Sequence, residues 1–201
     1  MTDAIKQDPL QHAPERARTV LLLIDVINDL EFEGGEKLLR HALPMAQNIA
    51  VLKKRAKAAG IPAIYANDNF GRWRSDFRKI VQNCLQEDVR GREIVKLLQP
   101  EEDDYFILKP RHSAFYLTNL EILLKYLGAQ TLILTGVAGD ICVLFTANDA
   151  YMREWNVIVP ADCIASNEVE YNRQALDVME RVLKADICSS PELDLYELQK
   201  Y

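Results

Sequence analysis

Three side chains capable of acyl-transfer chemistry occupy comparable places in this 201-residue chain. Cys142 lies in TGVAGDICVLFTANDAYMRE (135 to 154), where an apolar run ends in a Gly-containing turn and a helical pattern begins. Asp140 is suited to N-cap that helix, so the thiol falls in its first turn, where unpaired backbone N–H groups and the helix dipole favour thiolate. Asp25 closes the apolar run in LLLIDVINDL, and Lys109 closes FILKP, where Pro110 imposes an extended exit. A thiol, a carboxylate to move its proton and an ammonium to balance charge are the parts of a nucleophilic hydrolysis. Each also has a plain reading: a helix cap for Asp25, a snorkelling surface lysine for Lys109, core filler for a cysteine. Their convergence on one edge of one sheet outweighs those readings.

The usual proton partner of a thiolate is histidine, and the chain has His12, His41 and His112. His12 sits in the polar N-terminal stretch and His41 on an exposed helix face, whereas His112 follows Lys109 closely enough to lie near the site. Cys84 reads as helix packing, and Cys163 and Cys188 lie near strand ends without opening a helix. With no CxxC spacing, all four cysteines are expected as free thiols.

The elements that must carry these groups alternate. Apolar runs at 19–27, 61–68, 104–110, 130–137, 156–163 and 185–190 read as six strands, nearly continuous in Val, Ile and Leu as in a parallel sheet covered on both faces. Between them, 36–60, 117–128, 140–155 and 167–184 have helical periodicity, with Gly60 and Gly128 as C-terminal stops and Pro44 expected to kink or split the first helix. The fold class is therefore α/β: a single doubly wound, Rossmann-like domain over 19–201, of about six mainly parallel strands with helices on both faces. Such sheets bind ligands beyond the carboxyl ends of their strands. That rule selects Asp25 with Asn28, Asp68 with Asn69, Lys109, the turn from Gly136 to Cys142, Asp162 with Cys163, and Ser189. The long excursion 70–100 begins at the same edge and is the natural substrate cover, with Phe70, Trp73 and Phe115 as candidate apolar walls.

Residues 1–18, polar and with two prolines, read as a loose N-terminal arm. A net charge of -6 gives no footprint for nucleic acid or anionic membrane, and the partner expected is a small molecule. No segment has the layout of a signal peptide or the roughly 18 apolar residues of a membrane span, which implies a cytoplasmic enzyme.

Together, Asp25, Lys109 within KPRHSAF and Cys142 within TGVAGDICVLFTANDA resemble the signature of the isochorismatase-like cysteine hydrolases, which include nicotinamidases and N-carbamoylsarcosine amidase. The resemblance runs from about Thr19 to Ser190. It implies an Asp-Lys-Cys triad, a cis peptide joining Val137 to Ala138, an oxyanion hole from the Ala138 and Cys142 amides, and a homo-oligomer, dimer or tetramer. Metal-binding members place histidines after the second strand, where this chain has YANDNFGRW, so no metal and no cofactor are expected. Many relatives read Asp-x-Gln-x-x-Phe where this chain has Asp25, Ile27 and Leu30, and Thr where it has Gly139.

The mechanism implied is hydrolysis of a small amide, ureide or similar C–N bond. Asp25 takes the thiol proton, Cys142 attacks, Lys109 stabilises the charges, and Asp25 later protonates the leaving amine and activates water. Two alternatives are vinyl ether hydrolysis with Asp25 as the acid, and a non-catalytic binding protein using the same pocket.

Overall fold

The Leu-rich run at the start of the domain becomes the central strand, β1 (Thr19–Ile24), buried along its whole length. In the computed structural model, which describes residues 16–69 and 76–200, β1 is flanked by β2 (Ala63–Asp68) on one side and β4 (Thr131–Val137) on the other, both parallel to it. Beyond β2 lies β3 (Tyr105–Lys109), and beyond β4 lie β5 (Asn156–Ile158) and the two-residue β6 (Ile164–Ala165). The sheet order is β3-β2-β1-β4-β5, so the winding direction reverses between β1 and β4. Crevices for ligands open at such a reversal.

Alternation along β1 divides the core in two. Leu21 and Leu23 face one layer, packed with α1 (Gly35–Ala58), α2 (Phe77–Cys84) and α3 (Arg92–Leu97). Val20, Leu22 and Ile24 face the other, with α4 (Leu120–Leu127), α5 (Leu144–Met152) and α6 (Val169–Arg181). The short α7 (Leu195–Gln199) closes the first layer. Gly60 and Gly128 take left-handed conformations after α1 and α4, as C-terminal stops should.

Two expectations about elements are corrected. Residues 185–190 do not form a strand. Asp186 makes one bridge to Ile158 of β5, its side chain then accepts from the Cys188 amide, and a 3₁₀ turn starts at Ser190, which leaves no room for a ladder. The sixth strand is β6, one residue past the fifth predicted run. Pro44 does not split α1, which is continuous. Its ring lies on the exposed face, where water can satisfy the carbonyl freed by its missing N–H.

Of the N-terminal arm, residues 1–15 lie outside the described residues, and Ala17 and Arg18 are pinned. The Ala17 amide donates to Leu127, and the Arg18 carbonyl accepts from Gln130 and Thr131. Phe70 and Trp73 also lie outside the described residues. No helix among the described residues is long and apolar enough to cross a membrane.

Candidate active site

Register brings the groups together. Asp68 at the end of β2 is paired with Lys109 at the end of β3, and Ile24 of β1 is level with Gly136 of β4, so Asp25 and the turn after β4 meet at the winding reversal. Gly136 makes this approach feasible. At φ 113° a side chain is strained, and a β-carbon would stand 2.0 Å from the Ile24 carbonyl oxygen.

Asp25 leaves β1 at φ 53°, a left-handed conformation that Asp tolerates better than most residues. Its Oδ1 accepts from the Asp68 amide at 2.7 Å and its Oδ2 lies 2.8 Å from Lys109 Nζ. The exit from β1 is clamped by buried Asn67, whose side-chain amide donates to the Ile27 carbonyl at 2.6 Å. Val26, Asn28, Leu30, Met45, Ile94 and Val137 surround a void of about 10 Å³ beside Asp25, a mainly apolar setting that removes water from the carboxylate.

Lys109 is not a snorkelling lysine: its side chain is fully buried. Besides Asp25, Nζ donates to the Arg111 carbonyl at 3.1 Å, lies 4.0 Å from Asp68 Oδ2, and reaches Cys142 Sγ at 3.6 Å. Cys142 is carried on a wide π-helical turn, Gly139–Val143, that runs straight into α5. The peptide between Val137 and Ala138 is cis. Asp140 is not an N-cap. It stands inside the first turn, and its amide donates to Ser166 Oγ at 3.1 Å.

Burial controls the protonation states. It raises the Asp25 carboxyl above its usual range, against the opposing pull of Lys109 and the hydrogen bonds from Lys109, Cys142 and the Asp68 amide. Burial pushes the Cys142 thiol up to about 12, reinforced by the Asp25 charge and only partly offset by Lys109. This corrects the expectation of a resting thiolate, because desolvation and a neighbouring carboxylate outweigh the helix terminus and the ammonium. Burial is the largest single influence on the Lys109 ammonium and lowers it, but Asp25, Cys142 and Asp68 together outweigh burial, so the net direction is upward and Lys109 stays charged. The Cys142 thiol is hydrogen-bonded to the Asp25 carboxyl, with the Lys109 ammonium in contact with both.

Other predicted site residues are placed elsewhere. Phe115 is buried, stacked on Trp155 at 5.4 Å beneath the Arg153 guanidinium, so its ring serves the core rather than a substrate wall. Asp162 is occupied by Ser190, whose amide and hydroxyl both donate to it at 2.7 Å. Cys84 and Cys163 are buried. No cluster of three or more His, Cys, Asp or Glu residues among the described residues is arranged for a metal ion.

Residues 19–191 match the isochorismatase domain. The chain is 46% identical over 178 residues to the uncharacterized isochorismatase family protein YaaI of Bacillus subtilis, covering 89% of this chain and 97% of that protein. The chain belongs to the isochorismatase family. This family member is also 29% identical to the ureidoacrylate amidohydrolase RutB of Acinetobacter baylyi, over 86% of this chain and 81% of that protein. Among solved structures it resembles the pyrazinamidase/nicotinamidase of Streptococcus mutans, with a TM-score of 0.65 and 26% identity, covering 84% of this chain and 99% of that one. As an isochorismatase-family protein it is a hydrolase with a small-molecule substrate.

Proposed function

We propose that this hydrolase cleaves a small amide or ureide C–N bond through an acyl-enzyme on Cys142. The observation that carries the reading is the buried Lys109 ammonium, 2.8 Å from Asp25 and 3.6 Å from Cys142 Sγ. A carboxylate in contact with a thiol is placed to take its proton as sulfur bonds to a carbonyl carbon, and the fixed ammonium offsets the charge that moves between them. The Ala138 and Cys142 amides are the donors for the developing oxyanion, where one donor is typically worth about 10² to 10³ in rate. The amidase activities named for RutB and for the Streptococcus mutans enzyme support this class.

One feature favours a second reading. Burial raises the Asp25 carboxyl, which suits an acid that protonates a vinyl ether, a reaction needing no thiol. Purified Cys142→Ala should lose turnover of every amide or ureide that the parent protein hydrolyses in a substrate panel, with its fold retained. Undiminished amide turnover by this variant would overturn the acyl-enzyme. Turnover of isochorismate by the alanine variant would establish the second reading in its place.

A further inference from the structure

His112 is the titratable group closest to Cys142 that the Asp-Lys-Cys reading leaves unused. Its Nδ1 lies 3.8 Å from Cys142 Sγ, and among the described residues that sulfur is its only hydrogen-bonding partner. The ring is exposed and is held by an aromatic contact with Phe145, centroids 5.5 Å apart, one turn along the helix from the cysteine. His112 therefore approaches the sulfur from the solvent side. Asp25 is 5% exposed and engaged by Lys109, the Asp68 amide and Cys142.

That asymmetry bears on the second proton of the reaction. Breaking a C–N bond requires a proton on the departing nitrogen, and the amine then leaves through the open side of the site. A buried carboxyl behind the sulfur suits the exchange with the thiol. An imidazole at the mouth, whose ring nitrogens can both give and accept a proton, suits the exchange with leaving group and water.

We propose that His112 is a further catalytic residue, the proton carrier on the solvent side of Cys142. The inference rests on the acyl-enzyme reading above. In acylation the Sγ proton passes to Asp25 and sulfur bonds to the carbonyl carbon. As the oxyanion's electron pair re-forms the carbonyl, the C–N bonding pair goes to nitrogen, which takes the Nδ1 proton of the His112 imidazolium. The amine departs and His112 is left neutral. In deacylation water attacks the thioester, its proton goes to His112, and the C–S bonding pair returns to sulfur, which recovers its proton from Asp25. The cycle consumes one water and restores every group.

The test compares phenyl acetate with 4-nitrophenyl acetate, which share an acyl group but release phenoxides of very different basicity. Acetylation of the Cys142 peptide is followed by mass spectrometry after rapid quenching, in the parent protein, His112→Gln and His112→Phe. The phenylalanine variant keeps an aromatic ring against Phe145 while removing the proton. Both variants should acylate about 10²-fold more slowly than the parent with phenyl acetate, the low end of what a positioned proton donor contributes, and should change little with 4-nitrophenyl acetate. Added imidazole should restore part of the phenyl acetate rate. Equal slowing with both esters, or no slowing with either, would overturn the role of His112 while leaving Cys142 as nucleophile. Absence of acetyl from Cys142 in the parent protein would instead remove the acyl-enzyme itself, and this proposal with it.

Discussion

Lys109 and Asp25 form an ion pair at 2.8 Å inside the protein, with the lysine side chain fully buried and the aspartate side chain 7% exposed. Two opposite charges removed from water tolerate each other, but neither tolerates solitude. Lys109→Met should therefore cost about 3 to 5 kcal/mol at pH 7, since it strands a carboxylate in an apolar wall. Adding Asp25→Asn should recover most of that loss. Urea unfolding of the two single variants and the double variant measures both effects. Equal stability of Lys109→Met and the parent protein would contradict the buried pair.

The same pair has a pH signature. Asp25 has a folded-state value raised above its unfolded one, so its contribution to stability is fully present below the unfolded value and is lost as pH rises through the raised one. Removing Lys109 deletes two of the influences that hold the value down. The deficit of Lys109→Met relative to the parent should therefore be greatest at high pH and shrink as pH falls through the raised folded-state value, where the stranded carboxyl takes a proton. A deficit that grows on acidification would mean that another group dominates.

Cys142 offers a test in which two variants move in opposite directions. Its thiol is pushed up to about 12 by burial first and by Asp25 second, with Lys109 opposing. At pH 8, Asp25→Asn should alkylate with iodoacetamide faster at Cys142 than the parent, and Lys109→Met slower. Each change should be about tenfold or more, the usual effect of a charge within a few ångströms. Amide hydrolysis should fall in both variants, because Asp25→Asn gains thiolate while losing the proton acceptor. Peptide mass spectrometry after brief exposure gives the labelling rates. A slower Asp25→Asn would show that the carboxylate promotes, rather than suppresses, ionisation of the thiol.

Much of this arrangement was legible in the chain. The apolar runs were long enough to mark β1 to β4, and the rule that ligands gather at the carboxyl ends of parallel strands brought Asp25, Lys109 and the turn before Cys142 to one edge. What failed depended on three-dimensional surroundings. Periodicity does not reveal that Pro44 faces water, so an unbroken α1 was not foreseeable. Helix-terminus arguments favour a thiolate at Cys142, and only the packing shows how far burial overrides them. Phe115, near Lys109 in sequence, turns to Trp155 because α5 and the segment after it bring that indole within stacking distance. Asn67 was missed although it carried a signal: an amide inside the apolar strand AIYAND needs a partner, and the exit of β1 supplies one.

The last prediction concerns how the nucleophile turn is held. A β-carbon on Gly139 would lie 2.2 Å from Asn172 Oδ1, so the asparagine occupies the space that a side chain at 139 would need. Asn172 Oδ1 accepts from the Ser166 hydroxyl at 3.0 Å, and Ser166 Oγ in turn accepts from the Asp140 amide at 3.1 Å, which ties α6 to the turn bearing Cys142. Gly139→Ala should displace Asn172, break this chain of hydrogen bonds and cost about 1 to 3 kcal/mol, the usual range for overpacking a buried site. Asn172→Ala alone should cost about 1 kcal/mol through the orphaned Ser166 hydroxyl. The double variant should be more stable than the sum of the two losses predicts, because the new methyl group enters space the asparagine has vacated. A double-mutant cycle from denaturant unfolding measures that coupling, and residues in direct contact give about 0.5 to 3 kcal/mol. Strictly additive losses would mean that the turn is held by the backbone alone, and that Gly139 and Asn172 are neighbours without being alternatives for the same space.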